Sequence, residues 1–122
     1  AKPLVVQHVD NEPTKKMEMP NGAACVCMMG TAKGMKATLQ PGWTWKTGAR
    51  TMLPPDKQDL DRCPARHVGF VLKGTFHMKN VETGLEVDAK EGECYVCEPG
   101  HDAWVVGDVP VEFIEFESKI AA

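Results

Sequence analysis

The chain has 122 residues, with 14 basic and 17 acidic side chains and a formal net charge of −3. This length suits one domain around one core, and the charges form no basic cluster of the kind that binds nucleic acid or a membrane surface. No apolar run approaches the ~20 residues of a membrane span and the N-terminus carries no signal-like apolar segment, so we expect a soluble, cytoplasmic protein.

The apolar residues fall in short clusters that are rich in Val, Phe, Trp and Thr and are separated by Gly, Pro, Asn or Asp. This pattern is typical of many short strands. We predict strands at residues 3–8, 23–29, 35–40, 43–47, 67–73, 75–80, 85–88, 93–97, 103–106 and 111–116. No segment shows a helical stripe over three turns. The sequence therefore predicts an all-β sandwich or barrel, with the jelly roll as the leading candidate.

One long segment, residues 47–66, interrupts the strand pattern. It is polar and contains the pair Pro54-Pro55. Connections of this length inside a compact domain are usually functional loops or mobile segments. We expect a lid or a binding loop here.

The chain contains five cysteines, an odd number that favours a reducing compartment over a disulfide framework. Cys94 and Cys97 have a C-x-x-C spacing, but they lie in a strand-like segment. Residues three apart on a strand face opposite sides, so these two thiols should not share a ligand. We interpret them, and Cys25 and Cys27, as structural residues.

Three elements appear in a fixed order: PGWTW from Pro41, DRCPARHVGFVLKG from Asp61, and GECYVCEPGHDAW from Gly92. This order resembles the cupin superfamily, whose motifs run G-x5-H-x-H-x3,4-E-x6-G and G-x5-P-x-G-x2-H-x3-N. Gly74 matches the last glycine of the first motif. The resemblance implies a cupin double-stranded β-helix, a jelly-roll barrel.

The resemblance also implies a domain organisation. The chain is expected to be a single cupin domain over residues 1–122, with N-terminal strands in 1–40, the cupin motifs in 41–108, and a C-terminal strand and tail in 109–122.

The metal-ligand positions of the cupin motifs are altered in this chain. Asp61 and Cys63 occupy the two histidine positions of the first motif, His67 occupies the glutamate position, and Ala103 occupies the histidine position of the second. His101 and Ala103 face the same way on a strand, so His101 could supply the missing ligand. Carboxylate, thiolate and imidazole suit a divalent metal ion, zinc ahead of iron, nickel or copper.

Each candidate ligand also has a structural interpretation that the sequence leaves open. Asp61 could be one of several charges of the loop, and Cys63 could be an inert thiol. His67 could be a hydrogen-bonded core imidazole. His101 could stabilise its turn through Asp102 or the backbone.

Trp43 and Trp45 share one face of their predicted strand. They are candidates for lining the pocket, although such pairs more often fill a core or a dimer surface. Small cupins commonly pair through a strand face or a swapped N-terminal strand, so the resemblance also implies a homodimer.

The leading functional hypothesis is a small metal-binding cupin whose pocket, inside the barrel, takes a small organic molecule. The metal could serve an enzymatic reaction, and the sequence does not choose one. The alternative is a metal-free module that binds or senses a small ligand.

Overall fold

The computed structural model describes residues 4–118, which form nine β-strands and two short 3-10 helices. The strands are β1 (Lys15–Met19), β2 (Gly22–Met29), β3 (Ala32–Leu39), β4 (His67–Lys73), β5 (Thr75–Asn80), β6 (Glu86–Lys90), β7 (Cys94–Cys97), β8 (His101–Val105) and β9 (Val111–Ser118). The 3-10 helices, Ala49–Met52 and Pro55–Lys57, lie in the long segment between β3 and β4. No helix within residues 4–118 is long and apolar enough to cross a bilayer.

The strands form two antiparallel sheets. The larger sheet has the order β1-β2-β3-β9-β4-β7, and the smaller has the order β6-β5-β8. The two sheets pack face to face around one core, in which the ring of Phe76 from the smaller sheet stacks on Phe113 from the larger, 5.4 Å between centroids. The predicted all-β jelly-roll fold is confirmed.

The predicted closed barrel is corrected to an open sandwich. Over residues 4–118 no strand ladder joins the two sheets. The segment between β3 and β4 meets β8 only through two isolated bridges, Thr44 with Trp104 and Cys63 with His101. Turns and 3-10 helices interrupt this segment, so it cannot continue a ladder along β8.

Alternation along β9 directs every second side chain into the core. Val111 and Phe113 are buried, and Glu115 follows them on the same face with only 9% of its surface exposed. Burying an apolar side chain of this size contributes about 1.5–3 kcal/mol, whereas a buried carboxylate needs partners. The apolar part of the strand therefore fixes Glu115 inside the sandwich.

The β4–β5 turn depends on Gly74, which has a φ of 85°. A Cβ at this position would lie 2.5 Å from the carbonyl oxygen of Pro110. Only glycine combines this backbone angle with that close approach. The glycine that closes the first motif thus has a structural role in this chain.

Two predicted strands are wrong, and one strand was not predicted. Residues 4–8 form no strand, and Pro3 of that prediction lies outside the described residues. Residues 43–47 form a tight turn, closed by a hydrogen bond from Gly48 N–H to the Thr44 carbonyl (2.9 Å), because the chain reverses direction there. Strand β1 was missed because its sequence, KKMEM, is mostly charged and shows little alternation of apolar and polar residues. It pairs with β2 at the edge of the larger sheet.

Candidate metal centre

Three of the predicted ligands come together at one end of the sandwich: Cys63, His67 and His101. One donor atom from each lies within 4.8 Å of the others. The Cys63 sulfur is 3.6 Å from Nε2 of His67, and the two imidazole centroids are 5.1 Å apart. Cys63 and His101 are buried, and His67 is half-buried. The cluster is a candidate site for a metal ion.

The backbone holds the three residues in place from both sheets. Cys63 pairs with the first residue of β8: its N–H donates to the carbonyl of His101 (2.7 Å), and its carbonyl accepts from Gly100 N–H (2.8 Å). Gly100, with a φ of 96°, makes the turn that brings His101 to the start of β8. His67 is the first residue of β4, in the other sheet. The site therefore lies where the two sheets meet.

The orientation of His67 is set by a buried carboxylate. Nδ1 of His67 lies 2.9 Å from Oε1 of Glu115, and the Tyr95 hydroxyl donates to Oε2 at 2.5 Å. Burial and the neighbouring Glu115 charge raise the pKa of Tyr95, which keeps the phenol protonated as a donor. With Nδ1–H directed at the carboxylate, Nε2 of His67 is left for Cys63 or a metal. Such carboxylate–histidine pairs are the usual support of metal-binding imidazoles.

His101 is oriented in the same way by a backbone oxygen. Its Nδ1 lies 2.7 Å from the carbonyl oxygen of Glu98, at the other end of the Pro-Gly turn. A ring nitrogen that donates to a carbonyl leaves the second nitrogen as the ligand atom. The hydrogen bond from His101 to the backbone, which the structural interpretation of this residue expects, is therefore present. The same bond orients the ring for metal coordination.

The cluster is strongly polarised. Burial raises the pKa of the Cys63 thiol, but its contacts with His101 and His67 outweigh burial and lower the pKa to about 6. Burial lowers the pKa of His67, but its hydrogen bonds to Cys63 and Glu115 raise the pKa to about 9. Burial also lowers the pKa of His101, but its contacts with Cys63 and Cys97 raise the pKa to about 10. Near neutral pH these shifts favour the thiolate form of Cys63 and the imidazolium forms of the two histidines.

The donor set fits a borderline-soft divalent ion. Zinc binds thiolate sulfur at about 2.3 Å and imidazole nitrogen at about 2.0–2.1 Å. Donor atoms within 4.8 Å of one another can approach an ion at these distances with small side-chain movements. Three protein ligands also leave a position for a further group.

The other predicted site residues lie elsewhere. Asp61 is exposed and forms an ion pair with Arg62, 2.8 Å from Nε to Oδ1. Hydrogen bonding to Arg62 lowers the pKa of Asp61. Trp43 and Trp45 are both 4% exposed and belong to the core, where Trp43 Nε1–H donates to the sulfur of Met19 (3.4 Å). The structure therefore brings together only the cysteine and the two histidines.

Three residues around the cluster were not predicted as functional: Glu115, Tyr95 and Cys97. Glu115 left one signal in the sequence, a charged residue at the inward position that follows Val111 and Phe113. Tyr95 and Cys97 alternate as the two inward residues of β7, where burial is evident but partners are not. Cys94 and Cys97 face opposite sides of β7, as predicted, since Cys94 is exposed and Cys97 is buried.

A small cavity adjoins the cluster, with a volume of about 90 Å³. Its walls include His101 and Cys97, together with the apolar side chains of Met78, Leu85 and Val87. This volume matches a molecule of a few non-hydrogen atoms. The cavity gives a small ligand access to the His101 side of the cluster.

Comparisons with known proteins establish the fold. No protein-family model and no curated protein matches the sequence. Among solved structures, HppE in its Fe(II) form with an alternative substrate aligns with a TM-score of 0.60 and 16% identity, over 94% of this chain and 60% of that protein. A cupin-superfamily sugar phosphate isomerase from Silicibacter pomeroyi aligns with a TM-score of 0.57 and 14% identity, over 84% of this chain and 62% of its own. The Cupin_2 domain of an XRE family transcriptional regulator from Enterobacter cloacae aligns with a TM-score of 0.57 and 11% identity, over 83% of this chain and 99% of its own. At these identities the likeness shows that the chain has a cupin fold.

Proposed function

We propose that this cupin-fold chain binds a divalent metal ion through Cys63, His67 and His101, with zinc favoured over iron, nickel or copper. The observation that carries the proposal is the orientation of both imidazoles. Each Nδ1 is already engaged by an oxygen, of Glu115 or of the Glu98 carbonyl, so each ring keeps Nε2 for the ion once that nitrogen loses its proton. Pre-oriented donors lower the cost of assembling a metal site.

We further propose that the metal acts on a small organic molecule held in the adjoining cavity. A bound divalent ion polarises a carbonyl or phosphoryl oxygen of such a molecule. The chain's own contribution is to hold His67 through Glu115 and to place apolar side chains beside the bound molecule. Solved structures with the same fold include Fe(II)-HppE with an alternative substrate and a sugar phosphate isomerase.

The second candidate function is a metal-free module that binds a small ligand. It is supported by the self-contained polar contacts of the cluster. Among residues 4–118 no buried side-chain nitrogen or oxygen lacks a hydrogen-bond partner. A Cys63 thiolate and two imidazolium rings, together with the Glu115 carboxylate on His67, compensate one another without any ion, and they would attract a polar group of a ligand.

Elemental analysis of untagged protein, before and after reconstitution with Zn²⁺, distinguishes the two candidates. We expect close to one ion per chain, lost in His67→Ala and in His101→Ala. His77→Ala is the matched control, because His77 is held by Asp88 (2.6 Å) and Glu86 (2.8 Å) on the smaller sheet and stacks on Trp104. Circular dichroism checks that each variant is folded. Parent protein that stays metal-free after reconstitution would favour the metal-free module.

We also propose a homodimer that forms through the outer face of the larger sheet. Val68 and Val96 are opposite each other on β4 and β7 and are 42% and 56% exposed, and Phe116 on β9 is 61% exposed. Apolar side chains clustered on one sheet face favour association. Sedimentation analysis tests this, since Val96→Lys should shift a dimer toward monomer.

The five free thiols support a reducing compartment such as the cytoplasm.

A further inference from the structure

Cys97 has no role in the three-residue site, yet it lies beside it. It is the last residue of β7 and pairs directly with His67 of β4, so both side chains lie on the inward face. Residues directly opposite on antiparallel strands have Cβ atoms about 4.5–5.5 Å apart. Cys97 is therefore the cross-strand neighbour of one proposed ligand.

Cys97 also lies near the second imidazole, that of His101. Cys97 and His101 together line the small cavity. Cys97 thus adjoins both proposed histidine ligands, His67 across the strand pair and His101 at the cavity wall.

We propose that Cys97 is a fourth donor to the metal, so that the occupied site has two thiolates and two imidazoles. This inference rests on the proposed metal-binding function. The Cys97 sulfur lies outside the group of donors within 4.8 Å of one another, so metal binding draws it inward. A cysteine side chain moves through a single torsion between staggered rotamers, which makes this adjustment inexpensive.

A fourth sulfur donor has two consequences. A tetrahedral S₂N₂ set is typical of zinc and disfavours the hard ions magnesium and calcium. Two thiolates also neutralise the double charge of the ion in a buried site, where an uncompensated charge would be costly. The resting metal-bound site would then be four-coordinate, and a small molecule in the cavity would reach the ion as a fifth ligand.

The test is Co²⁺ binding to the metal-free, full-length protein. Thiolate-to-cobalt charge-transfer absorption grows with the number of bound thiolates, and the visible bands report tetrahedral geometry. We expect Cys97→Ser to reduce the charge-transfer intensity per bound cobalt by about half, since one of two thiolates is lost. Cys94→Ser is the matched control, because Cys94 lies on the same strand with its side chain exposed on the other face. Its spectrum should equal that of the parent.

A second measurement needs no variant. X-ray absorption of the zinc-loaded parent counts sulfur neighbours at about 2.3 Å, and two sulfurs are expected. One sulfur, or a Cys97→Ser spectrum equal to the parent, would overturn the role of Cys97 while leaving the three-ligand site intact. A parent that binds neither cobalt nor zinc would instead refute the proposed function itself.

Discussion

Replacing Glu115 with glutamine should destabilise the metal-free protein by about 1.5–3 kcal/mol, the cost of losing one hydrogen bond to a charged group. The carboxylate accepts from two donors, Nδ1–H of His67 (2.9 Å) and the Tyr95 hydroxyl (2.5 Å). Glutamine offers one acceptor oxygen and one amide donor. If the amide nitrogen faces the protonated His67 ring, a donor meets a donor; if it faces Tyr95, the phenol oxygen accepts and its own O–H loses the acceptor that Glu115 provides.

The destabilisation should depend on pH with a definite sign. Interactions with Cys63 and Glu115 raise the pKa of His67 from its ordinary value of 6.5 to about 9. A raised pKa in the folded state contributes stability that is complete below pH 6.5 and is lost as the pH rises through about 9. The difference between the parent and Glu115→Gln should therefore be largest at pH 6.5 and smaller at pH 9.

Urea unfolding at the two pH values, with a chelator present, measures this difference. Glu117→Gln is the matched control, because Glu117 is two residues further along β9 and forms only an exposed ion pair with Lys33 (3.5 Å). Exposed pairs contribute about 0–1 kcal/mol. A Glu115→Gln variant as stable as this control, or a stability difference that grows toward pH 9, would refute the assigned hydrogen-bond network.

Further predictions concern the same region. Metal affinity should rise steeply between pH 7 and 9, because His67 and His101 must each lose a proton before they coordinate; chelator competition measures the slope, and a flat profile would contradict protonated rings. Gly69→Ala should lower stability by about 1–3 kcal/mol in thermal unfolding, because its Cβ would lie 2.6 Å from the Tyr95 hydroxyl; an unchanged melting temperature would contradict that packing. Asp61→Asn should leave Zn²⁺ affinity within about twofold in the same competition assay, since its carboxylate is exposed and paired, and a tenfold loss would return this residue to the ligand set.

The local sequence was sufficient for some elements. The bounds of β4 and β5, residues 67–73 and 75–80, match the prediction because both segments are rich in apolar residues and Gly74 separates them. The proximity of Cys63 and His67 could also be predicted, since Cys63 lies only four residues before His67, the first residue of β4. In both cases the information lies within a few residues of the chain.

The support of the site could not be predicted, because it depends on strand register. Glu115 is 48 residues from His67, and they meet only because β9 pairs with β4 so that Gly69 is opposite Glu115. The composition of β9 reveals a charged residue at an inward position but not its partner. Cys97 likewise acquires its neighbours from the register of β7 with β4, which a C-x-x-C spacing does not encode.

The cluster also connects parts of the molecule that strand pairing leaves separate. His67 belongs to the larger sheet, whereas Cys63 is bridged to His101 of the smaller sheet. An ion bound by all three would act as a crosslink between the sheets, and a free ion concentration of 100 times Kd would stabilise the folded state by about 2.7 kcal/mol. For a domain of this size that corresponds to a shift in melting temperature on the order of 10 °C. Two preparations with the same sequence but different trace-metal content would then show different melting temperatures in a calorimeter.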